Sequence, residues 1–125
     1  MPIKKSILIV DDDELLPEII QGLLEDGGHA VSCCHNGADA IKLLKEQNFD
    51  VILTDYHMPG MKGDVVCRLL RHHRPDAFII GFSIEHKDQA FLSAGADAFI
   101  RKDRLVQDLA LLMKSGTTPR RARDL

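Results

Sequence analysis

The 125 residues are enough for one compact domain and no more. Apolar residues make up 45% of the chain and aromatic ones only 5%, so the core must be built from Leu, Ile, Val and Ala. A formal net charge of -3 argues against a broad nucleic-acid-binding surface.

Residues 1–6 lead straight into a short apolar run, which fits neither a signal peptide nor a membrane span. That run, Ile7-Leu8-Ile9-Val10, is continuous rather than alternating, the pattern of a strand buried on both faces. Leu15, Leu16, Ile19, Ile20, Leu23 and Leu24 then recur at helical spacing as one apolar stripe. Asp13 can cap that helix, Pro17 is tolerated in its first turn, and Gly27-Gly28 ends it. Ala30-Val31-Ser32-Cys33-Cys34 predicts a second strand. Asn36 opens a second helix with Ala40, Ile41 and Leu44 facing inward. Val51-Ile52-Leu53-Thr54 predicts a third strand. Asp64 opens a third helix with Val65, Val66, Leu69 and Leu70, stopped before Pro75. Phe78-Ile79-Ile80-Gly81-Phe82 predicts a fourth strand, followed by a helix with Ala90, Phe91 and Ala94 that closes at Gly95. Ala98-Phe99-Ile100 predicts the fifth, and Leu105, Leu109 and Leu112 mark the last helix.

Five strands alternating with five helices predict an α/β domain with a parallel sheet. No strand shows a polar side, so helices must cover both faces, and at this length a doubly wound sheet is favoured over an eight-unit barrel. Residues 1–115 are expected to form the domain, and residues 116–125, with Arg120, Arg121 and Arg123, a basic flexible tail or the start of a linker. Cys33, Cys34 and Cys67 lack metal-site spacing and read as small buried hydrophobes, consistent with a reducing cytoplasm. His72 and His73 are adjacent and point apart on a helix, while His29, His35 and His86 have no evident partners.

The polar residues fall at strand ends. Asp11 and Asp12 follow the first run, Asp55 the third, Ser83 the fourth and Lys102 the fifth. In a parallel sheet those ends share one edge, where open α/β folds bind ligands. Each residue alone reads as a cap, a turn former or a surface charge. Together they would place three carboxylates, a hydroxyl and an ammonium at one spot. Three ionised carboxylates repel one another, and a hard divalent cation resolves that, Mg²⁺ or Mn²⁺ rather than zinc. Such a cation with Lys102 and Ser83 would gather phosphoryl oxygens, and a carboxylate can itself accept the phosphoryl group. Asp11 and Asp12 are paired and suit the metal. Asp55 stands alone before the shaped loop Tyr56-His57-Met58-Pro59-Gly60-Met61-Lys62-Gly63 and suits the acceptor.

Three motifs carry a resemblance: Ile7-Leu8-Ile9-Val10-Asp11-Asp12-Asp13, the stretch from Asp50 through Thr54-Asp55-Tyr56-His57-Met58-Pro59-Gly60 to Gly63, and Ala94-Gly95-Ala96-Asp97-Ala98-Phe99-Ile100-Arg101-Lys102. From about Ser6 to Lys114 the chain resembles the receiver domain of two-component response regulators. The resemblance implies a flavodoxin-like, doubly wound five-stranded sheet of order 2-1-3-4-5 flanked by five helices. It implies Mg²⁺ held by Asp11, Asp12, Asp55 and the backbone carbonyl of His57, and phosphorylation on Asp55. It makes Ser83 and Lys102 the phosphate-binding groups and Phe99 the aromatic switch. The implied donor is a phosphohistidine on a sensor histidine kinase or phosphotransfer protein. The implied output is a downstream protein or fused effector met by the face of the fourth helix, fifth strand and fifth helix, with a homodimer also compatible. No direct nucleic-acid or membrane contact is expected, nor enzymatic activity beyond self-catalysed phosphotransfer and autodephosphorylation. Two positions depart from the pattern. Ile84 stands where a small residue is usual and would modify access to the acceptor. Asp103 replaces a common Pro and is expected to cap the last helix, with no cis peptide before it. Two other readings stay open: an interaction module independent of phosphorylation, and a small hydrolase with an Asp nucleophile.

Overall fold

The structure, a computed structural model, describes residues 4–116; most of the expected basic tail therefore lies outside the described residues. The elements run β1 (Ser6–Val10), α1 (Leu15–Asp26), β2 (Ala30–Cys34), α2 (Gly37–Glu46), β3 (Val51–Asp55), α3 (Gly63–His73), β4 (Phe78–Ser83), α4 (Asp88–Ser93), β5 (Ala98–Arg101), a 3₁₀ turn (Lys102–Arg104) and α5 (Leu105–Ser115). The strands form one sheet of order β2-β1-β3-β4-β5, with every neighbouring pair parallel.

Successive strand residues point to opposite sides, and this alternation builds two cores. Leu8, Val10, Ile52 and Ile79 pack with Ala40 and Leu44 of α2, Val66, Cys67 and Leu70 of α3, and Phe91 of α4. Ile7, Ile9, Leu53, Ile80 and Phe82 pack on the other side with Ile20 and Leu24 of α1 and Leu105 and Leu109 of α5. The continuous apolar runs are thus explained for the central strands, which feed both layers. Gly81 of β4 leaves the space that Phe91 fills; a Cβ there would lie 2.2 Å from the ring.

Several expectations fail in instructive ways. β2 is an edge strand and is not buried throughout: Ala30 and Cys33 are exposed, and Cys33 is not a core residue. The α1 stripe is wider than the face it buries, because Ile20 and Leu24 are in the core while Leu15, Ile19 and Leu23 are exposed. Asn36 does cap α2, accepting the Asp39 N–H at 2.8 Å. Asp64 does not open α3, which starts at Gly63 after Lys62, with no side-chain cap. Asp13 sits one residue ahead of the formal N-cap of α1, yet its carboxylate accepts the N–H groups of Glu14 (2.9 Å) and Leu16 (3.4 Å). The histidines expected to be unpartnered are not: His29 Nδ1 accepts the Lys5 N–H, His35 Nδ1 approaches the Asp11 carbonyl, and His86 Nε2 approaches Arg101.

Candidate functional site

β1 and β3 lie side by side in the sheet, with Val10 opposite Thr54, so Asp11 and Asp55 emerge next to each other on the C-terminal edge. Asp12 is exposed beside them, while Asp11 and Asp55 are buried. One carboxylate oxygen from each of the three lies within 4.8 Å of the others. Lys102, the first residue after β5, reaches back across β4, its Nζ 3.2 Å from Asp55 Oδ1 and 3.9 Å from Asp11 Oδ2. Four of the residues expected from sequence thus meet at one spot.

The loop geometry fixes the carboxylates. Asp11 Oδ1 accepts the N–H of Asp13 at 3.0 Å, and Asp55 Oδ1 accepts the N–H of Tyr56 at 2.9 Å. Gly63 lets the next helix start against the end of β3: its N–H donates to Tyr56 O, and a Cβ would stand 2.2 Å from the Asp55 carbonyl oxygen. Asp11 Oδ2 is buried and has no hydrogen-bond donor. Burial pushes the Asp11 carboxyl up to about 7; the Asp13 N–H pulls it down, the neighbouring Asp55 charge adds to the rise, and Lys102 opposes it. One positive charge against three acids leaves an excess of negative charge. That excess, an orphaned buried oxygen and an all-oxygen donor set fit a hard divalent cation.

Ser83 ends β4 fully buried, and its Oγ accepts the N–H of Glu85 at 3.1 Å. Ile84 beside it is 68% exposed, so it lies outside the core. Phe99 is half-buried on β5 and packs at 5.9 Å against Phe91, which in turn packs at 5.9 Å against Tyr56. Asp103 does not cap α5, whose formal N-cap is Arg104; it pairs instead with Arg101 at 3.3 Å. The described residues contain no cis peptide.

Sequence reasoning missed the side chain of His57. Its Nε2 lies 2.5 Å from Glu85 Oε1, joining the loops after β3 and β4. Lys87 stands 3.8 Å from Glu85 Oε2 and 4.6 Å from the centre of the Tyr56 ring. No local pattern announces a pair 28 residues apart.

The response regulator from Thermotoga maritima named TrrA, solved with Mg²⁺ and BeF, is 30% identical, with 90% of this chain and 98% of that one covered and a TM-score of 0.80. CheY4, a chemotaxis response regulator of Vibrio cholerae, is 24% identical over 87% of this chain and 98% of its own, with a TM-score of 0.78. A two-component response regulator from Clostridium difficile is 23% identical over 90% and 94%, with a TM-score of 0.83. The last two bear on the fold alone. The response regulator receiver domain family matches residues 7–114, nearly the whole described chain. With that match, and with acids and lysine gathered where the topology puts them, the chain belongs to the response regulator receiver domains, the phosphoacceptor modules of two-component signalling.

Proposed function

We propose that Asp55 is the phosphoacceptor. Its carboxylate oxygen attacks the phosphorus of a phosphohistidine, a P–O bond forms as the P–N bond to the donor imidazole breaks, and the leaving nitrogen keeps the electron pair. Asp11, Asp12, Asp55 and the backbone carbonyl of His57 would hold Mg²⁺, and Mn²⁺ suits the same oxygen donors. When bound, the cation offsets the negative charge that gathers as the donor phosphate approaches. Lys102, 3.2 Å from Asp55, is placed to pair with the new phosphoryl oxygens. Ser83 contributes a hydroxyl donor from the end of β4, and Phe99 turns further into the core as the Ser83 loop moves. Ile84 is branched and exposed directly after Ser83, and would narrow the approach to the acceptor.

The observation that carries this reading is the uncompensated charge: three carboxylates within 4.8 Å, one buried oxygen without a donor, and one lysine. The donor is a sensor histidine kinase or phosphotransfer protein in the cytoplasm, and the output leaves through α4, β5 and α5 to a downstream protein or fused effector. The protein's own chemistry is then confined to its phosphotransfer and self-dephosphorylation. The domain ends near residue 115. No described helix is long and apolar enough to cross a membrane.

The test is intact-mass spectrometry after incubation with acetyl phosphate and Mg²⁺. A single phosphoryl adduct that disappears in Asp55→Asn is expected; an adduct retained by that variant would sink the assignment.

A further inference from the structure

Glu85 holds both sides of the site's mouth. Its carboxylate meets His57 Nε2 at 2.5 Å on the loop that follows the acceptor, and Lys87 Nζ at 3.8 Å on its own loop. Its backbone N–H donates to Ser83 Oγ at 3.1 Å. A carboxylate can only accept, so His57 Nε2 carries the hydrogen whether the ring is neutral or protonated. Lys87, stacked 4.6 Å from the centre of the Tyr56 ring, adds a second contact between the same two loops.

On the proposed reading of Ser83 as a phosphoryl ligand, its hydroxyl engages the group on Asp55 as the segment after β4 shifts toward the end of β3. Glu85 lies two residues along that segment, and its partner His57 lies two residues beyond Asp55. The displacement therefore changes the separation between Glu85 and His57, and hydrogen bonds weaken steeply when stretched or bent. We propose that Glu85 is a positioning residue: anchored on His57, it holds the Ser83 loop in its resting arrangement, and this strap loosens when the phosphoryl group claims the hydroxyl. The inference rests on the reading of Asp55 as acceptor and Ser83 as a phosphoryl ligand. The strap is a bias rather than a lock. The two side chains are 46% and 53% exposed, and exposed pairs shift an equilibrium by no more than about fivefold.

The experiment is a beryllofluoride titration in excess Mg²⁺, read by tyrosine fluorescence. The chain has one Tyr and no Trp, so the signal comes from Tyr56, next to the acceptor. Glu85→Ala and His57→Ala should each bind the phosphoryl mimic roughly two- to fivefold tighter, and the double variant no tighter than either. Glu85→Gln, which keeps an acceptor for His57, should stay near the wild type. Additive gains would mean that removing a negative charge, not the strap, explains the effect. That result, or unchanged or weaker binding in the single variants, overturns the proposal. A wild-type protein that gives no response would instead remove the acceptor reading on which the strap depends.

Discussion

Raising the pH should destabilise the cation-free domain, and Asp11 sets the size of the effect. Its carboxyl is pushed up to about 7 from 3.8, chiefly by burial. The folded state therefore holds a proton that the unfolded chain releases. A raised folded value contributes stability that is fully present below the unfolded value and lost as pH climbs through the folded one. The window runs from about pH 4 to about pH 7, and roughly three units at ~1.4 kcal/mol each give an upper bound of ~4 kcal/mol. Between pH 5 and pH 7 the loss would be ~2–3 kcal/mol, which for a domain of this size is roughly 10 °C in melting temperature. The assay is thermal unfolding followed by circular dichroism in a chelator across that range, repeated in excess Mg²⁺ and with Asp11→Asn. On the proposed reading Mg²⁺ would bind the ionised carboxylate, so its stabilisation should grow with pH and its binding should release a proton. Asp11→Asn should flatten the cation-free slope. A melting temperature that stays level or rises between pH 5 and pH 7, or a slope that persists in Asp11→Asn, would refute the reasoning.

Three other perturbations have defined outcomes. Lys102→Ala removes the cation that pulls the Asp11 carboxyl down, so its titration, followed by carboxyl NMR without metal, should move above about 7; a fall would contradict the geometry. Gly81→Ala drives a methyl to 2.2 Å from the Phe91 ring and should cost ~1–3 kcal/mol in urea unfolding, with Phe91→Leu recovering part of the loss. Asn36→Ala removes the acceptor for the Asp39 N–H and should cost ~1 kcal/mol by the same assay, without changing phosphoryl uptake.

The parallel sheet and the acidic edge were legible because both follow from local pattern, whereas the strand order came from the family resemblance. A run such as Ile7-Leu8-Ile9-Val10 is buried on both faces wherever a doubly wound sheet puts it, and all four residues are at 0% exposure. Once the strands are parallel, the residue that follows each one is delivered to the same edge. Asp11, Asp12, Asp55 and Lys102 therefore converge without any need to know loop shapes. The edge strand broke the rule for the reason that made it work elsewhere. Ala30-Val31-Ser32-Cys33-Cys34 has a neighbour on one side only, so apolar residues in it are not all covered, and Cys33 ends at the surface. The α1 helix shows the same limit, since six apolar residues at helical spacing exceed what one side of a sheet can cover, leaving Leu15, Ile19 and Leu23 in solvent.

What the sequence did not reveal lies between loops. A backbone role for His57 was implied only by the family resemblance, through its place two residues after Asp55. Its side chain is decided by which residue of another loop stands opposite. That depends on the β3–β4 register, where Asp55 faces Phe82, and on how the chain turns after Ser83. A shift of one residue in that pairing would exchange the faces of every side chain on the strand and carry Glu85 away from His57. Asp103 was misassigned for a related reason: the chain tightens into a 3₁₀ turn over Lys102–Arg104, which moves the cap position of α5 one residue on to Arg104 and leaves the Asp103 carboxylate beside Arg101. Both cases concern polar side chains at the surface, His57 paired with Glu85 and Asp103 with Arg101. For exposed pairs, differences of a fraction of ~1 kcal/mol decide the outcome, and no residue pattern encodes differences that small.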